Sequence, residues 1–394
     1  VHDEVKAMEE ALNTRREFIR MAALGGVAMA AASKVPYARG QQQSASSPWV
    51  DERFFIRPEE LSLRFRQPAG ARRLSFANFD GSPEQWRRAC REKLKALLGF
   101  HQPAMRDATL VRAVDHDGVT IQAWVMTIDE SLSIPAYLLL PKVLRHPDSA
   151  VIAIQGHGDV EGVVGVRDDY HHAFGLRLAQ AGHRVLCPAL RGFGALRDLA
   201  FGDDDRCLDY WCWSRGPQFT LVTDAFVHGT SLIGQTVEDL LRWDAWLADH
   251  LQIGAVDVAG ISYGGDLAIT YPALSDRVRR IYTSGSMGSF SVIFARCYNA
   301  PAHCIANVLE WMDRSDIAGL SAPRPLRMHY GELDTPGPKN NSASYNETVE
   351  PSLRETRAIY RAFGADADHL VTMYVAPNAW HEMDNEDLTA FLAE

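Results

Sequence analysis

The apolar positions change their rhythm near Ala150. Before it, the stretch 83–99, PEQWRRACREKLKALLG, predicts an amphipathic helix closed by Gly99. Then come β-rich runs, ATLVRAV (108–114), VTIQAWVMTI (119–128) and IPAYLLLP (134–141), the first two joined by the turn residues DHDG. They predict antiparallel edge strands. After Ala150 the apolar runs become short and continuous: AVIAIQG, HRVLCPA, AVDVAG, RRIYTSG, PLRMHYG and LVTMYVA. Between them, helical patterns are expected at 171–181, 236–251, 263–272, 345–363 and 385–393. Continuous apolar strands alternating with helices predict a mostly parallel sheet with helices on both faces. In such sheets, reactive groups gather beyond the carboxyl ends of the strands.

Composition narrows the picture modestly. The chain has 394 residues, 46% hydrophobic and 23% charged, the balance of a globular protein. A net charge of −10 disfavours nucleic acid or an anionic membrane as partner. Six cysteines form no CxxC pair, which disfavours a zinc ribbon. Cys207 with Cys212 and Cys297 with Cys304 are local disulfide candidates, and free thiols are the open alternative. His171 and His172 are read as capping or packing residues, with no metal and no cofactor expected.

The segment NTRREFIRMAALGGVAMAAASKV sets Arg15-Arg16 before an Ala/Gly/Met-rich stretch. It resembles a bacterial twin-arginine export signal and is too short for a comfortable membrane span. The expectation is therefore a signal and linker over 1–45, recognition by the Tat export machinery, and a periplasmic or secreted product without a stable span. Residues 46–394 are expected to form one domain, with an N-terminal extension over 46–148. An insertion at about 195–230 carries Tyr210, Trp211 and Trp213 in a polar loop. Those rings suit a pocket wall, a sugar-stacking platform or a small satellite core.

The chemistry centres on Gly260-Ile261-Ser262-Tyr263-Gly264. This G-x-S-x-G lies where a strand should end and a helix begin, the context its nucleophile reading requires. A serine needs a base, and the base needs an orienting carboxylate. PLRMHYGELDTP places Asp334 beyond a later strand, 72 residues after Ser262, and His381, a further 47 residues on, lies just past the last strand. Glu332 competes with Asp334 as the carboxylate. The oxyanion hole is assigned to the backbone amides of Tyr263 and Asp159, with His157 read as a pocket residue that shapes the loop. Arg191 in RGFG (191–194) is read as an anchor for its loop.

These motifs resemble the α/β-hydrolase superfamily, and more narrowly its acetyl xylan esterase and dienelactone-hydrolase-like branch. The likeness is carried by QGHGD (155–159), LRGFG (190–194), HGTSLIGQTVEDLLRWDAWL (228–247), GISYGG (260–265) and APRPL (322–326), with Asp334 and His381. It covers roughly residues 85–394. Serine at the elbow departs from the cysteine of dienelactone hydrolases proper, and WHEMD departs from a glycine-rich surround at the histidine. The resemblance implies a cofactor-independent serine esterase acting on small or carbohydrate esters. Two further readings stand beside it: a prolyl-oligopeptidase-type serine peptidase, though no upstream propeller repeats are seen, and a non-catalytic binding protein on a hydrolase scaffold.

Overall fold

Ser82 starts helix α1 (Pro83–Leu98) through a capping box with Gln85, and Gly99 ends it in a left-handed conformation. Trp86, Cys90, Leu94 and Leu98 recur at four-residue spacing and form its buried face. The computed structural model describes residues 72–196, 217–292, 301–334 and 348–394.

Strands β1 (Ala108–His116), β2 (Val119–Thr127) and β3 (Ser133–Pro141) follow, then β4 (Ser149–Ile154), β5 (Arg184–Pro188), β6 (Ala255–Ile261), β7 (Val278–Ser284), β8 (Leu326–Gly331) and β9 (Val371–Ala376). They form one nine-stranded sheet in the order β1-β2-β3-β5-β4-β6-β7-β8-β9. The first three pair antiparallel, and β3 joins β5 antiparallel. From β5 through β4 to β9, every pairing is parallel. The expected architecture, a mostly parallel sheet with antiparallel strands at the start, is the one observed.

The helices are α2 (Val160–Val163), α3 (Phe174–Gln180), α4 (Pro217–Val227), α5 (Leu232–Leu251), α6 (Tyr263–Leu274), α7 (Val308–Trp311), α8 (Arg314–Gly319), α9 (Val349–Ala362), α10 (Ala367–Leu370) and α11 (Asn385–Ala393). Strand residues alternate between two cores. Ile152, Ile154, Leu186, Val256 and Val258 pack under α1, α5 and α6, whereas Val151, Ala153, Val185, Ala259 and Ile261 pack under α3 and α11. Both sheet faces are thereby covered, which is why these strands read as unbroken apolar runs.

Three expectations need correction. Pro217–Val227 lies inside the segment expected to be a loop, yet it is a helix. Proline is favoured in a first helical turn, and Val222 and Ala225 are buried. Helix α5 starts at Leu232 rather than 236, because the Ser231 hydroxyl accepts from the Gly234 N–H at 3.1 Å and caps it there. Helix α3 starts at Phe174 rather than 171, since His172 and Ala173 have positive φ. Cys90, Cys187 and Cys304 carry free thiols. Cys207, Cys212 and Cys297, like the twin-arginine segment, lie outside the described residues. Among the described residues, no helix is long and apolar enough to cross a membrane.

Candidate active site

Ser262 sits between β6 and α6 with φ 58° and ψ −119°, a conformation costly for any residue with a side chain. The flanking glycines make that turn possible. A Cβ on Gly260 would collide with the Gly264 carbonyl, and one on Gly264 with the carbonyls of Ile154 and Gln155. The Ser262 N–H donates to the Ser284 carbonyl at 2.8 Å, so β7 holds the turn in place. The side chain stands at the N-terminus of α6, where the helix dipole favours developing negative charge.

Asp334 follows β8 and is 3% exposed. Its Oδ2 lies 2.7 Å from Nδ1 of His381, which follows β9. A carboxylate only accepts, so Nδ1 carries the proton and Nε2 is left as the basic nitrogen. Burial would lower the proton affinity of this imidazole. The adjacent Asp334 charge and hydrogen bond outweigh that, and the pKa is held above its ordinary 6.5. Gly285, at φ 56°, presses its backbone on the ring; a Cβ there would fall 2.6 Å from His381 Cε1. Gly285 directly follows Ser284, so one corner of β7 supports both the serine turn and the histidine.

Glu332, the rival carboxylate, faces elsewhere. Its Oε2 accepts from the Asn378 N–H at 2.9 Å and ties the loop after β8 to the loop after β9. Asp159 and Tyr263, the residues assigned to the oxyanion hole, both lie at helix starts. Asp159 caps α2 beyond β4, and Tyr263 is the first residue of α6. Neither main-chain N–H has an acceptor among the described residues, as expected for amides at helix starts.

His157 is the main surprise. Its Nδ1 lies 3.4 Å from Ser262 Oγ. Its ring stacks on His303 at 5.2 Å, and Phe193 meets it edge-on. Burial, followed by the nearby His303 and His381, pushes its pKa well below the ordinary imidazole value. His303 was not anticipated by sequence. Its Nδ1 contacts Asp266 Oδ2 at 2.5 Å, and Arg314 donates to both oxygens of the same carboxylate at 2.7 and 2.8 Å. The Ser286 hydroxyl adds a fourth hydrogen bond, at 2.6 Å. Burial alone would raise the Asp266 pKa, but Arg314 and His303 hold it lowered. His303 itself is lowered by burial, despite Asp266.

Supporting contacts complete the loop after β4. His171 Nδ1 is 2.7 Å from Asp169, and its Nε2 accepts from the Gly156 N–H at 2.9 Å. The Tyr170 hydroxyl donates to the His157 carbonyl at 2.6 Å, while its ring stacks on His381 at 5.7 Å. Arg191 anchors its own loop through a bidentate contact with Asp239 at 2.6 and 2.8 Å. Tyr210, Trp211 and Trp213 lie outside the described residues. Among the described residues, no cluster of three His, Cys, Asp or Glu side chains is arranged for a metal ion.

No family model matches the chain, and no curated protein matches it by sequence. Solved structures do match. A protein described as an acetyl xylan esterase from Bacteroides fragilis superposes with a TM-score of 0.60 at 17% identity, over 80% of each chain. A methylesterase gives 0.58 at 18%, over 82% of this chain and 66% of that one. A glucuronoyl esterase from Solibacter usitatus gives 0.56 at 12%, over 83% and 97% respectively. At such identities the likeness is one of fold.

Proposed function

From the α/β-hydrolase fold of this chain, and from the groups gathered at its strand ends, we propose a serine carboxylesterase for short-chain esters. The observation that carries the proposal is the Asp334–His381 pair at 2.7 Å beyond β8 and β9, with Ser262 on its strained turn beyond β6. In this reading His381 Nε2 takes the Ser262 proton as Oγ bonds to the ester carbonyl carbon. The carbonyl electrons move onto oxygen, and the Asp159 and Tyr263 amides stabilise that oxyanion. Collapse breaks the bond to the leaving alkoxide, which receives the proton from His381. Water then repeats the sequence to free the acid. No cofactor enters.

Three neighbours in fold carry carbohydrate or methyl esterase names, and this supports acetylated or otherwise esterified sugars as the substrate class. Acetyl preference is motivated by the acetyl xylan esterase-like sequence motifs together with the bulky residues Tyr210, Trp211 and Trp213 in the sequence. Arg15-Arg16 before the Ala/Gly-rich stretch supports twin-arginine export to the periplasm or medium. The test is labelling by a fluorophosphonate, followed by an ester panel from acetyl to octanoyl that includes acetylated xylan. Labelling at Ser262 and at least about tenfold higher kcat/KM on acetate than octanoate are expected. Absence of labelling overturns the serine-hydrolase reading. Faster cleavage of a proline anilide than of any ester moves the reading to a peptidase.

A further inference from the structure

One histidine, His157, lies 3.4 Å from Ser262 Oγ, and another, His381, pairs with Asp334 beyond nearby strand ends. Only one of them is used by the mechanism above. We propose that His157 is a further catalytic residue: its Nδ1–H donates to Ser262 Oγ at rest and to the substrate oxyanion once that forms. The inference rests on the reading of Ser262 as nucleophile.

The hydroxyl of Ser262 has one proton. If that proton faces His381 Nε2, the oxygen can only accept from His157, so Nδ1 must be the donor. The 3.4 Å separation is long for a hydrogen bond, as such contacts often are before substrate binds. In the tetrahedral adduct the oxyanion and Oγ share one carbon, which keeps the oxyanion within reach of a donor already poised at Oγ. His157 also lies on the loop that presents the Asp159 amide, two residues earlier. A side-chain donor would therefore join the two main-chain donors proposed above.

The surroundings favour a neutral donor over a second base. His157 is half-buried, with its Nε2 shut off from solvent, and His303 stacks on it with the rings 22° apart. Its proton affinity is held well below normal, while that of His381 is raised. Two titratable groups pushed apart by their settings take different parts in one reaction. Asp266 fixes this arrangement from behind. It lies four residues after Ser262, its N–H donates to the Ser262 carbonyl at 3.2 Å, and its carboxylate holds His303 against His157. Asp266 and His303 are thus positioning residues.

The experiment compares His157→Ala and His157→Asn with the wild type on p-nitrophenyl acetate from pH 5 to 9, with Ser262→Ala and His381→Ala alongside. Asn can place an amide N–H near the Nδ1 position but cannot serve as a base. His157→Ala is expected to lower kcat about 10²-fold with little change in KM, the usual cost of one oxyanion donor. His157→Asn should recover to within about tenfold of the wild type. The apparent pKa of kcat/KM should stay where it is in both variants. Fluorophosphonate labelling, which builds a tetrahedral adduct on Ser262, should slow in parallel, while circular dichroism should show that each variant is folded.

Unchanged kcat in His157→Ala would return His157 to packing. An Asn variant as slow as Ala, or one with a displaced apparent pKa, would refute the donor role. If Ser262→Ala keeps its activity, the esterase reading itself falls. If Ser262→Ala and His381→Ala are inactive while His157→Ala is unaffected, this inference alone falls.

Discussion

His381 with Asp334, and His303 with Asp266, are the same two side-chain types at nearly the same separation, 2.7 and 2.5 Å. Their settings differ. His381 is 29% exposed, between loops that follow two parallel strands. His303 is wholly buried, and its carboxylate is shared with Arg314 and Ser286. The first imidazole is raised in proton affinity and the second lowered. A histidine–carboxylate contact therefore does not by itself make a base. Burial and the division of the carboxylate's charge decide whether the pair titrates usefully or serves as a rigid, neutral brace.

The comparison is broken most directly by exchanging which histidine is removed. Ser262→Ala and His381→Ala should each lower kcat on an acetyl ester by at least about 10⁵-fold. His303→Asn should cost no more than about tenfold, read in the same assay. Equal losses at the two histidines would erase the distinction. Asp334→Asn should cost about 10³- to 10⁴-fold, because the wrong tautomer is then favoured at His381. Asp266→Asn should act mainly on stability. It removes the carboxylate charge that the buried Arg314 contacts at 2.7 and 2.8 Å, and denaturant unfolding should show a loss of about 3–5 kcal/mol.

The pH dependence sharpens the same contrast. On the proposed mechanism His381 must be neutral to accept the serine proton, so kcat/KM should climb with pH through a value above 6.5. The stability from the Asp334–His381 ion pair has the opposite sense. It is fully present below the unfolded imidazole pKa and is lost as pH rises through the raised folded value. Melting temperatures of wild type and His381→Ala should therefore converge across the window in which activity appears. His157 and His303 are both lowered and His329 is held at about 4, all by burial first, so they remain neutral there. The smallest effect belongs to Glu332→Gln. Its partner is the Asn378 N–H, which an amide oxygen also satisfies, and kcat should stay within about threefold.

Much of this was legible in the sequence because it is written locally. Each parallel strand is covered on both faces and appears as a run of apolar residues. Ser262, Asp334 and His381 each lie just past such a run, so strand order alone brings them to one end of the sheet. Tertiary pairings leave no such trace. His303 and Arg314 lie 37 and 48 residues from Asp266, in a stretch whose short helices show no strong period. His157 looked like a loop residue because nothing nearby in sequence indicates a ring reaching Ser262 Oγ. Helix α4 was hidden by its place after a polar, tryptophan-rich segment that suggested loop throughout.

Strand β9 has one neighbour in the sheet, β8, and the chain passes from it directly to His381. On the proposed reading, this makes the edge strand a safety catch. The serine turn is built from β6, β7 and α6, so it can be complete while β9 is still undocked. Such a partly folded chain would expose a shaped but inert hydroxyl. Hydrolytic competence then reports on the docking of a single edge strand. Hydrogen exchange at the β9 amides and loss of turnover should follow one another as denaturant is raised, ahead of the collapse of the central strands. If that reading holds, the chain would stay chemically silent until its sheet is finished.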